Sequence, residues 1–125
     1  MAQPVVHFEI IGTDPARLRD YYGELFDWQF STGGSVAESV SEAGNYGFAE
    51  LPGIPGGVGG GVGFATKTLF YVGVPDVEAA LRDAERLGGT RTMGPERAPG
   101  RDLVVAHFAD PEGNLVGLAG PAPQH

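Results

Sequence analysis

The residues best suited to chemistry in this chain are imidazoles and carboxylates set within short apolar runs. His7 and Glu9 lie two apart in VVHFEII (residues 5–11), Glu50 falls near the end of NYGFAEL (45–51), and His107 sits in DLVVAHFAD (102–110). Residues two apart in an extended strand point to the same side, so His7, Glu9 and Ile11 share one face while Val6, Phe8 and Ile10 share the other. Imidazole beside carboxylate can do two things: ligate a divalent cation or move a proton. The chain has no cysteine, which removes thiolate nucleophiles, disulfides and thiolate metal sites. The glycine run GIPGGVGGGVG (53–63) lacks the following helix and the Gly-Lys-Ser/Thr ending of a phosphate loop, and reads instead as a flexible junction or edge strand. Near the end, FADPEGNLVGLAG (108–120) reads as strand, tight turn, strand. Gly117 then stands inside a strand, where a glycine marks a bulge or a close approach.

The elements that position these groups follow from periodicity. Asp14 with Pro15 opens a helix, and Leu18, Tyr21, Tyr22, Leu25 and Phe26 form its apolar stripe. Asp76 opens a second helix, with Val77, Ala80, Leu81, Ala84 and Leu87 on one face and Gly88-Gly89 at its end. The spacing predicts helices over 15–26 and 76–87, each preceded by a strand, VVHFEII in one case and TLFYVGV in the other. The two opening aspartates are 62 residues apart (76 minus 14), half the chain. Each helix is followed by strand-like or turn-like pieces: WQFSTG, VAESVSEAG, NYGFAEL and GGVGGGVGF in the first half, TRTMGPERAPG, DLVVAHFAD and NLVGLAG in the second. The unit is one strand, one helix and about three more strands, written twice. This predicts an α+β protein of two tandem βαβββ modules, 1–63 and 64–125, with helices on one face of a curled, mainly antiparallel sheet and a cup-shaped cleft on the other.

Length and charge set the remaining bounds. A chain of 125 residues is one domain, able to bury roughly two-thirds of its unfolded surface. Eight basic against sixteen acidic residues, a formal charge of −8, argue against nucleic acid. No segment approaches transmembrane length and the N-terminus has no signal-like core, so a cytoplasmic protein without membrane partners is expected. One lysine, Lys67, against seven arginines points to a GC-rich bacterial genome.

The paired stretches HFEIIGTDPARLRDYYGELFDW, FYVGVPDVEAALRDAERLGG and HFADPEGNLVGL resemble the vicinal oxygen chelate superfamily, which includes glyoxalase I, extradiol dioxygenases, methylmalonyl-CoA epimerase and the bleomycin-resistance proteins. The resemblance covers nearly the whole chain, and Asp-Pro-Glu-Gly-Asn before the last strand is its most specific piece. It implies paired βαβββ modules around a cup, commonly in a homodimer. In the metal enzymes of the family a divalent ion is held by one residue on the first and one on the last strand of each module. Carried over, those positions fall on His7 and Glu50 in the first module and on Leu69 and Gly117 in the second. Two of the four are filled, so no cofactor is expected, although a divalent metal on His7 and Glu50, or on these with His107, has suitable donor chemistry.

By strand alternation the cup presents His7, Glu9, Phe48, Glu50, Leu69, Tyr71 and His107. Phe70, Val72 and Val74 back the helix, and Tyr21 and Tyr22 are helix-packing residues. The first reading is a small-molecule-binding protein of the bleomycin-resistance kind, with Trp28, Phe48 and Tyr71 available to a cationic ligand. The alternative is a metal-dependent lyase or isomerase of the glyoxalase type, in which Glu9 or Glu50 moves the proton. The carboxylates of Glu9 and Glu50 near His7 are expected to raise its pKa.

Overall fold

The computed structural model describes residues 2–123. Nine elements follow one another: β1 (Val5–Gly12), α1 (Pro15–Phe26), β2 (Gly47–Ala49), β3 (Gly56–Gly60), β4 (Lys67–Gly73), α2 (Val77–Arg86), β5 (Thr90–Arg97), β6 (Val104–Ala109) and β7 (Leu115–Gly120). Both helices begin where the capping residues place them. The Asp14 carboxylate accepts from the Arg17 amide at 3.2 Å and that of Asp76 from the Ala79 amide at 3.0 Å.

The strands form one open sheet in the order β2-β3-β1-β4-β7-β6-β5. Four of its six pairings are antiparallel; β1–β3 and β4–β7 are parallel. The two halves meet at the antiparallel β1–β4 pair, and each half repeats one pattern: its first strand pairs in parallel with its last, which pairs antiparallel with the one before. The pieces WQFSTG and VAESVSEAG, expected as strand-like or turn-like, contribute a single bridge, Ser31 to Phe48, and turns.

The glycine run is neither a flexible junction nor an edge. Its residues 56–60 are β3, an internal strand whose five residues are all buried. Glycine suits the position because rings lie over the backbone: a β-carbon at Gly56 would overlap the Phe8 ring, and one at Gly57 or Gly59 the Tyr46 ring. The same relation explains Gly117, whose missing side chain makes room for the ring of Tyr71 on the neighbouring strand.

Two cores result. On the α2 side, Val74, Val77, Leu81, Val104, Ala106 and Leu118 pack together. On the other face, Ile11, Leu69, Tyr71 and Val105 meet Ala37, Val40 and Tyr46 from the long segment between α1 and β2. The apolar stripe of α1 is covered only in part. Tyr21, Leu25 and Phe26 are more than half exposed, and Tyr22 stacks on Phe26 and Trp28 instead of entering the core. Phe70, expected beneath a helix, is 43% exposed.

Candidate functional site

The cup is a cavity of about 540 Å³ on the face of the sheet away from α2. Its floor comes from β1 and β4. The antiparallel register sets His7 opposite Tyr71 and Glu9 opposite Leu69, and alternation turns His7, Glu9 and Tyr71 to the same side. Its roof is the 34–40 segment, which the hairpin of β5 and β6 holds in place. Ser35 Oγ donates to the Pro99 carbonyl at 2.6 Å, the Ser39 amide donates to Glu96 Oε1 at 3.3 Å, and Arg101 Nη1 donates to the Ser35 carbonyl at 3.4 Å. The Arg101 guanidinium also sits 5.8 Å from the centre of the Phe48 ring at the mouth.

At the floor lies a continuous chain of five polar side chains. Glu9 is 2% exposed, and Tyr46 and Tyr71 are as deeply buried. The Tyr46 hydroxyl donates to Glu9 Oε1 at 2.9 Å and the Tyr71 hydroxyl donates to Glu9 Oε2 at 2.8 Å. Each tyrosine oxygen then meets a histidine, His7 Nε2 at 2.8 Å from Tyr46 and His107 Nε2 at 2.7 Å from Tyr71. The order is His7–Tyr46–Glu9–Tyr71–His107. Among the described residues no buried side-chain nitrogen or oxygen lacks a partner.

Burial governs the charges here. Loss of water lifts the Glu9 carboxyl to about 7, against the opposing pull of the two tyrosine hydrogen bonds and of Lys67. Burial likewise pushes both tyrosine hydroxyls up. His7 moves down to about 4, not up as the neighbouring carboxylates suggested, because burial comes first and the positive charge of Arg101 adds to it. The expected carboxylate effect fails because Glu9 is itself held towards its neutral form and Glu50 is exposed. His107 is also lowered to about 4, by burial and Lys67, with Glu96 opposing.

Of the residues singled out in the sequence, His7, Glu9, Phe48, Glu50 and Tyr71 line the cavity. Leu69 is buried in the adjoining core, His107 stands behind Tyr71, and Gly117 lies beneath its ring. Trp28 is elsewhere, among Phe8, Tyr22, Phe26 and Phe30. Sequence reasoning missed Tyr46, the roof residues Val36, Ala37 and Val40, and Arg101. Only Tyr46 carried a usable signal, being two residues before Phe48 and so on its face of an extended segment.

The Glyoxalase/Bleomycin resistance protein/Dioxygenase superfamily matches residues 5–118. The chain belongs to this superfamily. No curated protein matches it. Among solved structures, a methylmalonyl-CoA epimerase variant from Streptomyces coelicolor in complex with 2-nitronate-propionyl-CoA is similar with a TM-score of 0.69 and 13% identity, over 98% of this chain and 100% of that one. A hypothetical protein from Bacillus halodurans gives 0.68 and 13%, over 100% and 99%. Methylmalonyl-CoA epimerase from Mycobacterium tuberculosis gives 0.66 and 15%, over 95% and 88%. At these identities the likeness speaks for the fold alone.

The residues present do not fit the four-ligand ion site that superfamily resemblance implies. The last strand of the first half is β3, not NYGFAEL, so Glu50 is not on it. Gly117 pairs with Tyr71, and the residue paired in the same way in the first half, with Glu9, is Gly57. Three of the four positions are thus Gly57, Leu69 and Gly117, none of which offers a side-chain donor. At the fourth, Nε2 of His7 is engaged by Tyr46, so the four positions together offer at most one imidazole nitrogen. His7, Glu50 and His107 do not converge either: among the described residues no three His, Asp or Glu side chains form a group able to hold a metal.

Proposed function

We propose that this superfamily member binds a small organic molecule in the cup, against the His7–Glu9–Tyr46–Tyr71 floor. The observation that carries the reading is the cavity itself. Its volume of about 540 Å³ lies in the range of small-ligand sites. Its walls are mainly apolar (Val6, Val36, Val40, Phe48, Leu103 and Val105), with a few convergent polar groups at one end. Arg101 at the mouth and a carboxyl held towards neutrality at the floor favour a neutral or anionic molecule over a cationic one. A metal-dependent lyase or isomerase built on His7 and Glu50 has weaker support, since the donor set does not fit the ion.

Binding of 1-anilinonaphthalene-8-sulfonate tests the cup. The native protein is expected to bind it saturably with enhanced fluorescence, and Val36→Trp, which fills the cavity from the roof, is expected to abolish that signal while the fold persists. A native protein that gives no saturable signal, or a Val36→Trp variant that binds as before, would overturn the reading.

The protein is further proposed to act as a homodimer. Tyr21, Leu25 and Phe26 leave an apolar surface on α1 that the chain itself does not cover.

A further inference from the structure

We propose that the five-residue chain at the floor of the cup is a proton relay, through which His7 exchanges a proton between a bound molecule and the buried carboxyl of Glu9, with the Tyr46 hydroxyl as the link. This rests on the small-molecule reading of the cup and adds one property of the ligand: it is a weak acid that presents an ionisable X–H bond to His7.

The argument is a count of donors and acceptors. Each tyrosine hydroxyl has one hydrogen and touches both a carboxylate oxygen and an imidazole nitrogen. With Glu9 ionised, both hydroxyls donate to it. Each histidine must then donate from Nε2, which leaves Nδ1 as a lone pair. Nδ1 of His7 has no partner among the described residues, and no unpartnered side-chain nitrogen is buried, so it is accessible, on a side chain that lines the cavity. It can take a proton from the ligand.

As it does, the Nε2 proton passes to Tyr46, the Tyr46 proton passes to Glu9 Oε1, and the ligand keeps the electron pair. One N–H, one phenolic O–H and one carboxyl O–H form. The ligand's X–H, the old N–H and the old phenolic O–H break. The outcome is a neutral carboxyl, a neutral His7 of the other tautomer and an anionic ligand facing Arg101. No imidazolium forms, which matters because burial makes that ion costly here. The reverse sequence returns the proton, to the same atom or to another one presented to Nδ1.

The groups facing this chain are Lys67 on β4, Glu96 on β5 and Arg101 between β5 and β6. Glu9 can alternatively give its proton to the Tyr71–His107 arm, which ends away from the cavity lining. Ring packing holds the relay in line: the Tyr46 ring lies over Gly57 and the Tyr71 ring over Gly117.

The test is a pH titration of the ligand-free protein, reading the histidine tautomers by two-bond proton–nitrogen NMR correlation. Through the midpoint of Glu9, His7 is expected to stay neutral while the protonated and unprotonated nitrogen frequencies change places, from Nδ1–H on the acid side to Nε2–H on the basic side. Tyr46→Phe is expected to abolish the exchange at His7, and Tyr71→Phe to leave it in place. The relay is overturned if the His7 tautomer ignores the Glu9 midpoint, if only His107 responds, or if Tyr46→Phe still shows the exchange. If Tyr46→Phe does not fold, the native titration and Tyr71→Phe still decide. Since no ligand is used, failure of dye binding in the cup overturns the binding reading and leaves this result standing.

Discussion

Replacing Glu9 by glutamine removes the titrating group at the centre of the network while keeping its shape. The native carboxyl moves from 4.5 to about 7 on folding. A raised carboxyl stabilises the fold fully below its unfolded value, and that contribution is lost as pH rises through the folded value. Two and a half units at 1.36 kcal/mol each amount to a cost of about 3 kcal/mol once Glu9 is ionised in the native state. Glutamine does not incur this cost. It offers one acceptor to one tyrosine and a donor to the other, whose hydroxyl then turns to its histidine. Glu9→Gln is therefore expected to be more stable than the native protein by about 1 kcal/mol near pH 5.5 and about 3 kcal/mol near pH 8.5. Urea unfolding followed by the fluorescence of the single tryptophan, Trp28, measures both values. His7 and His107, lowered to about 4, act the other way: their contribution is lost as pH falls from 6.5 towards 4 in both proteins, so it cancels in the difference. A variant less stable than native at pH 8.5, or a difference that does not change with pH, would refute the reasoning.

Gly117→Ala and Gly57→Ala should each destabilise by about 1–3 kcal/mol in the same assay, because the new methyl group meets a buried tyrosine ring. For the same reason Leu69→His with Gly117→Glu, which would place metal-binding side chains on β4 and β7, should give a less stable protein than native, as thermal melting would show, unless Tyr71 is also reduced in size. Sedimentation at micromolar concentration should show twice the 13.0 kDa chain mass, and Phe26→Asp should return the protein to monomer.

The sequence by itself determined the elements whose causes are local. Asp14 with Pro15 and Asp76 define helix starts through hydrogen bonds that span three residues, and both helices stand where those signals put them. The alternation of VVHFEII placed His7 and Glu9 on one face, which is a property of any extended backbone. Repetition at 62 residues was readable because both halves use the same helix-opening residue. The tertiary structure decided what depends on partners distant in sequence. The glycine run looked flexible because glycine adds nothing to local order, yet in the fold its bare backbone is what Tyr46 and Phe8 lie on, and this makes it an internal strand. That strand displaced NYGFAEL from the last position of its half and took Glu50 out of line with His7. The direction of the His7 shift was equally invisible: neighbouring carboxylates in the sequence argued for a raised pKa, while burial beneath the 34–40 roof and the approach of Arg101 from beyond residue 100 lower it. The Tyr46–Glu9–Tyr71 bracket joins residues 37 and 62 positions apart, and only folding brings them within hydrogen-bond reach.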